Sequence, residues 1–182
     1  DGLAHGDLGP GESTAQINKT LPAHLALKHC AEFAAIDVNH GFCETAADLI
    51  MQTAGTPSKS IVGDFLAERL NIFPDQRALY TLFGGLLCNF GRDVSRSSKD
   101  VLTQTSKGLA GNMKPGDYLV ITQDTNRIED FLLKAYDHPD MGRYVLSVLH
   151  KMKRDLPTED FDPYAFEFLV KWNEEESLLS LN

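Results

Sequence analysis

The sequence is short of cysteine and of positive charge, and each shortage excludes a class of protein. Its three cysteines, Cys30, Cys43 and Cys88, form no close pair and are odd in number. We therefore expect no disulfide framework and a reducing, cytoplasmic location. Lys and Arg number 17 against 26 Asp and Glu, which gives a net charge of -9 and a pI near 5.0. Because nucleic-acid affinity depends on clustered basic residues, no nucleic-acid partner is expected.

Long apolar runs and several catalytic loops are missing as well. No window approaches the ~20 apolar residues that span a bilayer, and no export signal precedes the first glycines, so no membrane partner is predicted. Neither a Gly-x-Ser-x-Gly turn nor a phosphate loop ending in Gly-Lys-Ser or Gly-Lys-Thr occurs. His24, His29 and Cys30 lack a second pair of ligands, so we predict no metal site. The sequence is expected to be cropped at both ends.

The order of apolar and amphipathic segments predicts an α/β fold. The 182 residues, 42% of them hydrophobic, fit a single domain, 1–182. Alternating strands and helices predict a mostly parallel, Rossmann-like twisted sheet with helices on both faces and a C-terminal antiparallel hairpin. We place parallel strands at 3–8, 33–38, 60–63, 77–87 and 118–122, and the hairpin at 166–172 and 177–181. The helices are expected at 14–19, with a break near Leu21-Pro22, and then at 42–50, 98–112, 128–136 and 141–156.

A glycine turn follows the first predicted strand. Asp7-Leu8-Gly9-Pro10-Gly11 has the first two glycines of a dinucleotide-binding turn, but Thr14 stands where the third would lie. A pyrophosphate needs the close approach that the third glycine permits, whereas a cofactor without phosphates does not. An ordinary turn is the competing interpretation. The pattern favours a nucleoside-type cofactor over NAD, and an NAD-dependent oxidoreductase remains the weaker alternative.

Acidic residues end the next two predicted strands. Asp37 can accept two hydrogen bonds from a ribose diol, and Asp64 can accept from an adenine amino group beside the ring of Phe65. Asp37 could instead cap the helix that begins near Asn39. Ligands of open α/β sheets lie outside the carboxyl ends of the strands. The three strand ends together therefore predict a site for a nucleoside-type cofactor, which the rest of the chain narrows to S-adenosylmethionine.

The fourth strand leads to Asn89. An amide can orient an amine without protonating it, and methyl transfer from a sulfonium needs little beyond placement of a deprotonated nucleophile. Capping of the following turn is the other interpretation of Asn89.

Several motifs along the whole chain resemble the histidine-specific S-adenosylmethionine methyltransferase family, which acts in ergothioneine biosynthesis. They include Asp7-Leu8-Gly9-Pro10-Gly11, Ala35-Ile36-Asp37-Val38, Val62-Gly63-Asp64-Phe65, Lys134-Ala135-Tyr136-Asp137 and Asp160-Phe161-Asp162-Pro163-Tyr164. The resemblance implies that Asp7, Gly9, Gly11, Asp37, Asp64 and Phe65 bind the cofactor. It also implies that Asn89 and Tyr136 position an amino-acid substrate, histidine or a relative, whose α-amine is methylated.

The chain departs from the family pattern at two places. Leu87-Cys88 precede Asn89 where the family has a small residue and Gly, and Ala15 or Gln16 stands where the family has Lys. Family segments that complete the amino-acid pocket lie outside residues 1–182. These departures motivate the alternative function, a non-catalytic S-adenosylmethionine-binding module of the same fold.

Overall fold

The computed structural model describes residues 2–12, 19–89, 98–156, 160–175 and 178–181. The chain divides into two compact units, residues 1–124 and 125–182. The prediction of a single domain stays a prediction. None of the helices in the described ranges is long and apolar enough to cross a bilayer.

The first unit contains a five-stranded parallel sheet. Its strands are β1 (Ala4–Leu8), β2 (Glu32–Asp37), β3 (Ser58–Val62), β4 (Ala78–Leu82) and β5 (Tyr118–Ile121), in the order β3-β2-β1-β4-β5. Every neighbouring pair is parallel. The carboxyl ends of all five strands consequently share one edge, here called the carboxyl edge. The strand order reverses between β1 and β4, where ligands of such sheets bind.

Helices cover both faces of this sheet, as predicted. They are α1 (Thr20–Ala26), α2 (His40–Ala54) and α3 (Ser98–Gly111). Alternate residues of β2 point to opposite faces: Phe33 and Ala35 pack with α2, while Ala34 and Ile36 join the cluster that holds Leu109 of α3. Both faces of the central strands are thus buried, which explains their nearly continuous apolar sequence.

Two of the differences from the predictions in the first unit have a clear physical cause. The fourth strand ends at Leu82 rather than residue 87, because Gly84 and Gly85 adopt positive φ of 79° and 68° and turn the chain into a 3-10 turn, Leu86–Asn89. The predicted helical break at Leu21-Pro22 is wrong, since α1 begins at Thr20. Pro22 falls in its first turn, where a missing N–H has no intrahelical partner to lose. Residues 14–18 of the predicted first helix lie outside the described ranges.

The second unit holds two helices and the predicted hairpin. The helices are α4 (Glu129–Tyr136) and α5 (Pro139–Asp155), and the antiparallel strands are β6 (Val170–Asn173) and β7 (Leu178–Leu181). These two strands form a sheet of their own. The expectation that β6 begins at Phe166 is wrong, because the chain first passes through a 3-10 turn at Pro163–Ala165 and then an irregular segment.

Candidate functional site

The glycine turn continues directly from β1 at the carboxyl edge. Gly9 and Gly11 have positive φ of 68° and 65°, a conformation that other residues rarely adopt. A Cβ on Gly9 would lie 2.2 Å from Leu86 Cδ2, whereas no described atom lies within 4 Å of a Cβ on Gly11. Gly9 therefore permits close packing inside the protein. As far as the described residues go, Gly11 leaves open space that a ligand could approach.

Asp37 ends β2 beside this turn. Its Oδ1 accepts a hydrogen bond from the Asn39 N–H at 2.9 Å, and Asn39 in turn caps α2 through its side chain. The structure gives Oδ2 of Asp37 no partner among the described residues. Val38 follows with 70% of its surface exposed, and Val62 at the end of β3 is also exposed. A carboxylate oxygen beside two exposed apolar side chains suits a ligand that has both hydroxyls and a flat ring.

Asp64 lies just beyond β3 and begins a short turn. Its Oδ1 accepts from the Leu66 N–H at 2.9 Å and from the Ala67 N–H at 3.3 Å. Phe65 is only 6% exposed and belongs to the sheet core. Its ring is thus directed into the protein, so any contribution of Phe65 to cofactor binding falls to its backbone and to the position it gives Asp64. That contribution stays a prediction.

Asn112 holds the loop that carries Asp64 and Phe65. Its Oδ1 accepts from the Leu70 N–H at 2.7 Å, and its Nδ2 donates to the carbonyls of Phe65 and Glu68, both at 2.8 Å. A Cβ on Gly108 of α3 would lie 2.5 Å from the Leu66 carbonyl oxygen. The carboxyl end of α3 is therefore packed directly against this loop, and Asn112 fixes its backbone.

Lys19 reaches across the point where the strand order reverses. It precedes α1, and its Nζ donates to the Phe83 carbonyl at 2.9 Å, immediately after β4. The Gly84 N–H donates to Thr122 Oγ1 at 2.9 Å, which ties this turn to β5. The ammonium of Lys19 places a positive charge on an otherwise acidic edge. Asn89 ends the 3-10 turn that follows, but its side chain lies outside the described part of the chain.

Asp7 lies at the foot of the glycine turn and is fully buried. Its carboxylate accepts hydrogen bonds from Thr20 Oγ1 and, at 2.9 Å, from Thr81 Oγ1. Burial raises the pKa of Asp7, and the two hydroxyls and Lys19 oppose that rise. Both oxygens are occupied within the protein, so the geometry favours an indirect role for Asp7 in holding the turn. Its predicted contact with cofactor is untested.

Tyr136 is the last residue of α4 and is half-buried within the second unit. The structure brings Gly9, Gly11, Asp37 and Asp64 together along the carboxyl edge of the first unit. Tyr136 is described only with its own unit. Within the described ranges no group of three or more His, Cys, Asp or Glu could hold a metal ion.

Sequence reasoning missed three residues near this edge, Lys19, Val38 and Asn112, and also His5, which is buried near the amino end of β1. Lys19 was overlooked because the family lysine was sought at Ala15 or Gln16. Val38 carried a usable signal, since it continues an apolar strand past the acidic residue that ends it. Asn112 acts over more than forty positions of sequence, and no local pattern reveals such a contact.

The edge can hold a neutral or zwitterionic ligand with a nucleoside part. Two carboxylates supply acceptors, a glycine turn supplies open space, and one lysine supplies a cation. A family model described as histidine-specific methyltransferase, SAM-dependent, matches residues 6–181.

Two curated relatives cover nearly the whole chain. The histidine N-alpha-methyltransferase of Mycobacterium tuberculosis (strain CDC 1551 / Oshkosh) is 28% identical over an alignment of 181 positions, which covers 96% of this chain and 53% of the relative. The protein of the same name from Mycolicibacterium smegmatis (strain ATCC 700084 / mc(2)155) is 26% identical over an alignment of 178 positions. That alignment also covers 96% of this chain and 53% of the relative. The chain thus spans about half the length of these relatives.

Proposed function

Because the chain belongs to the histidine-specific, S-adenosylmethionine-dependent methyltransferase family, we propose that its carboxyl edge binds S-adenosylmethionine. We further propose that the protein transfers the methyl group to the α-amine of histidine or a related amino acid. The observation that carries the proposal is the meeting of the glycine turn, Asp37 and Asp64 along one edge. The names of the two relatives support histidine as the acceptor.

The residues at the edge fit the adenosine part of the cofactor. Oδ2 of Asp37 is available to accept from the ribose hydroxyls while Oδ1 keeps its turn hydrogen bond. Val38 and Val62 offer apolar surface for a purine ring, and Asp64 can accept from its amino group. Among the described residues, Lys19 is a cation placed at this edge to attract the cofactor's carboxylate. The space above Gly11 lets the ligand approach the backbone.

Catalysis then depends mainly on placement. When bound, S-adenosylmethionine supplies a methyl group on a cationic sulfur, open to in-line attack by a neutral amine. In the proposal, the Asn89 amide and the Tyr136 hydroxyl orient that amine, and neither adds a proton to it. The net charge of -9 is compatible with an acceptor that carries a positive charge before it is deprotonated.

Asp37→Asn tests the cofactor assignment. Asn retains the oxygen that accepts from Asn39 but loses the charge that would bind the diol. We expect S-adenosylhomocysteine affinity to fall by about 1 to 3 kcal/mol, the loss typical of a buried polar partner. Isothermal titration measures it. Asp48→Asn, an exposed change on α2, is the matched control and should bind like wild type. Equal affinity in both variants would remove Asp37 from the site.

The second candidate function is a cofactor-binding module without catalysis. Leu87 and Cys88 before Asn89, in place of smaller residues, favour it. Incubating the protein with methyl-labelled S-adenosylmethionine and a panel of amino acids separates the two functions. Labelled histidine or a relative supports the methyltransferase. Cofactor binding without transfer to any amino acid supports the module.

A further inference from the structure

A row of polar side chains, all buried except the half-buried Thr56, runs through the first unit beneath the face that α1 and α2 cover. His24 Nε2 lies 2.9 Å from Thr56 Oγ1, and the Nδ1 atoms of His24 and His5 lie 3.1 Å apart. His5 Nε2 lies 3.0 Å from Thr81 Oγ1. Thr81 and Thr20 both contact Asp7, so the row continues without a gap to the foot of the glycine turn.

The chemistry of these groups gives the row a direction. If Thr81 donates its proton to Asp7, then His5 must donate to Thr81 from Nε2, which leaves Nδ1 as an acceptor. His24 must then donate from its own Nδ1 and accept from the Thr56 hydroxyl through Nε2. Each ring carries one proton, on opposite nitrogens. A second proton on His5 would lie on Nδ1 and face the Nδ1–H of His24 across the 3.1 Å contact.

The surroundings favour neutral rings. His5 is fully buried, His24 is 3% exposed, and Phe33 presents its ring to both at centroid distances of 5.2 and 5.4 Å. Burial, and for His5 also the neighbouring ring, lowers the pKa of each histidine. Among the described residues, the titratable and charged groups that face the row are Asp7 on β1, Lys19 before α1, Asp37 on β2 and Cys30 close to the His5 backbone.

The row ends where the proposed cofactor site begins. Asp7 lies two positions before Gly9, and Thr20 directly follows Lys19. Anchoring Asp7 and Thr20 therefore fixes both the glycine turn and the lysine that crosses to Phe83. Thr56, at the other end, precedes β3 and so lies on the amino-terminal side of the sheet.

We propose that His5 and His24 are positioning residues for cofactor binding: as neutral rings in opposite tautomers, they hold Asp7 ionised and thereby fix the glycine turn and Lys19. The proposal rests on the proposed function, since it assumes that cofactor binds at the carboxyl edge. It assigns a purpose to two buried histidines that take no part in methyl transfer.

Nitrogen-15 NMR of the histidine rings tests the direction of the row. In the protein at neutral pH, His5 should show a proton on Nε2 and His24 a proton on Nδ1. The His5 ring should stay neutral at pH 5.5, because a second proton on its Nδ1 would face the Nδ1–H of His24. The reverse pair of tautomers would mean that Asp7 carries the proton, and this result, or a charged His5 ring at pH 5.5, overturns the proposal.

Titration with S-adenosylhomocysteine tests the positioning. Thr56→Val keeps the shape of the side chain but removes the terminal donor, and should weaken binding about threefold to tenfold at a temperature where the variant is folded. Thr56→Ser restores the hydroxyl and should restore affinity. Thr53→Val, exposed on α2, is the matched control. Wild-type affinity in Thr56→Val overturns the positioning role, whereas absence of binding by the wild type would instead overturn the proposed function.

Discussion

The two units of the molecule differ in how many of their apolar side chains are buried. The first unit buries a core on both faces of its sheet, including Phe33, Ile36 and Ile50 at 0% exposure. Among the described residues of the second unit, only Leu132, Gly142 and Pro163 are buried. Large side chains there stay exposed, such as Tyr164 at 82% and Tyr144 at 76%.

The two parts of the proposed function, cofactor binding and amino-acid recognition, are assigned to residues of these two different units. The residues predicted to bind cofactor stand on strands whose own core holds them in place. Tyr136, predicted to contact the amino acid, stands on a helix with one buried residue, Leu132. Cofactor binding is therefore expected to depend on the core of the first unit. Amino-acid recognition should be separable from it by mutation.

Replacing one phenylalanine in each unit should give the largest difference between the units in the free energy of unfolding. Phe33→Ala leaves a cavity beneath α2 and takes a ring away from His5 and His24, so we expect a loss of about 3 to 5 kcal/mol in the free energy of unfolding. Phe131→Ala removes a ring that is 60% exposed and should change it by less than about 0.5 kcal/mol. Urea unfolding followed by circular dichroism measures both, and equal losses would contradict the contrast.

Acid should destabilise the first unit through His5. Burial and then His24 lower the pKa of His5 from 6.5 to about 3 in the folded protein. As the pH falls, the His5 ring of the unfolded chain therefore becomes protonated near pH 6.5, whereas that of the folded protein becomes protonated only near pH 3. Stability is fully present above pH 6.5 and declines as the pH falls, by about 2 kcal/mol at pH 5. Buried Asp7 has the opposite effect: because its pKa is raised in the folded protein, its protonation favours the folded state as the pH falls.

Matched histidine variants isolate this effect. His5→Phe should flatten the dependence of unfolding free energy on pH between 6.5 and 5. His150→Phe, an exposed change on α5, is the matched control. Urea titrations at pH 7, 6 and 5 give the comparison. An unchanged slope in His5→Phe would show that other groups cause the acid sensitivity.

Tyr136→Phe should give the smallest effect and the sharpest test of separability. Loss of its hydroxyl should raise the KM for the amino acid by the equivalent of about 0.5 to 1.5 kcal/mol, with S-adenosylhomocysteine affinity unchanged. Tyr144→Phe in the same unit is the control and should match wild type in both measurements. A weaker cofactor affinity in Tyr136→Phe would contradict the division of roles.

The parallel sheet and the acidic strand ends could be predicted because their signals are local. The apolar run of β2 predicts a strand, and Asp37 comes directly after that run as the last residue of the strand. The buried row could have been sought, since Thr20 and His24 stand four positions apart on one face of α1, and His5 and Asp7 two positions apart on β1. Its connection to Asp7 could not be predicted without the fold, because Thr81 donates to Asp7 from 74 positions away in the sequence.

The end of the fourth strand shows a different limit. Its apolar sequence continues to residue 87, and only the positive φ of Gly84 and Gly85 stops the pairing. Apolar pattern alone does not distinguish a strand from a tight turn that packs against the same core. Leu86 illustrates this, since it packs on the core from the 3-10 turn.

A crystal structure with S-adenosylhomocysteine bound tests the central claim most directly. The account predicts adenosine along the carboxyl edge, with its ribose hydroxyls donating to Oδ2 of Asp37 and its adenine amino group donating to Asp64. Ligand bound elsewhere, or bound at this edge with both carboxylates turned away from it, would contradict the account.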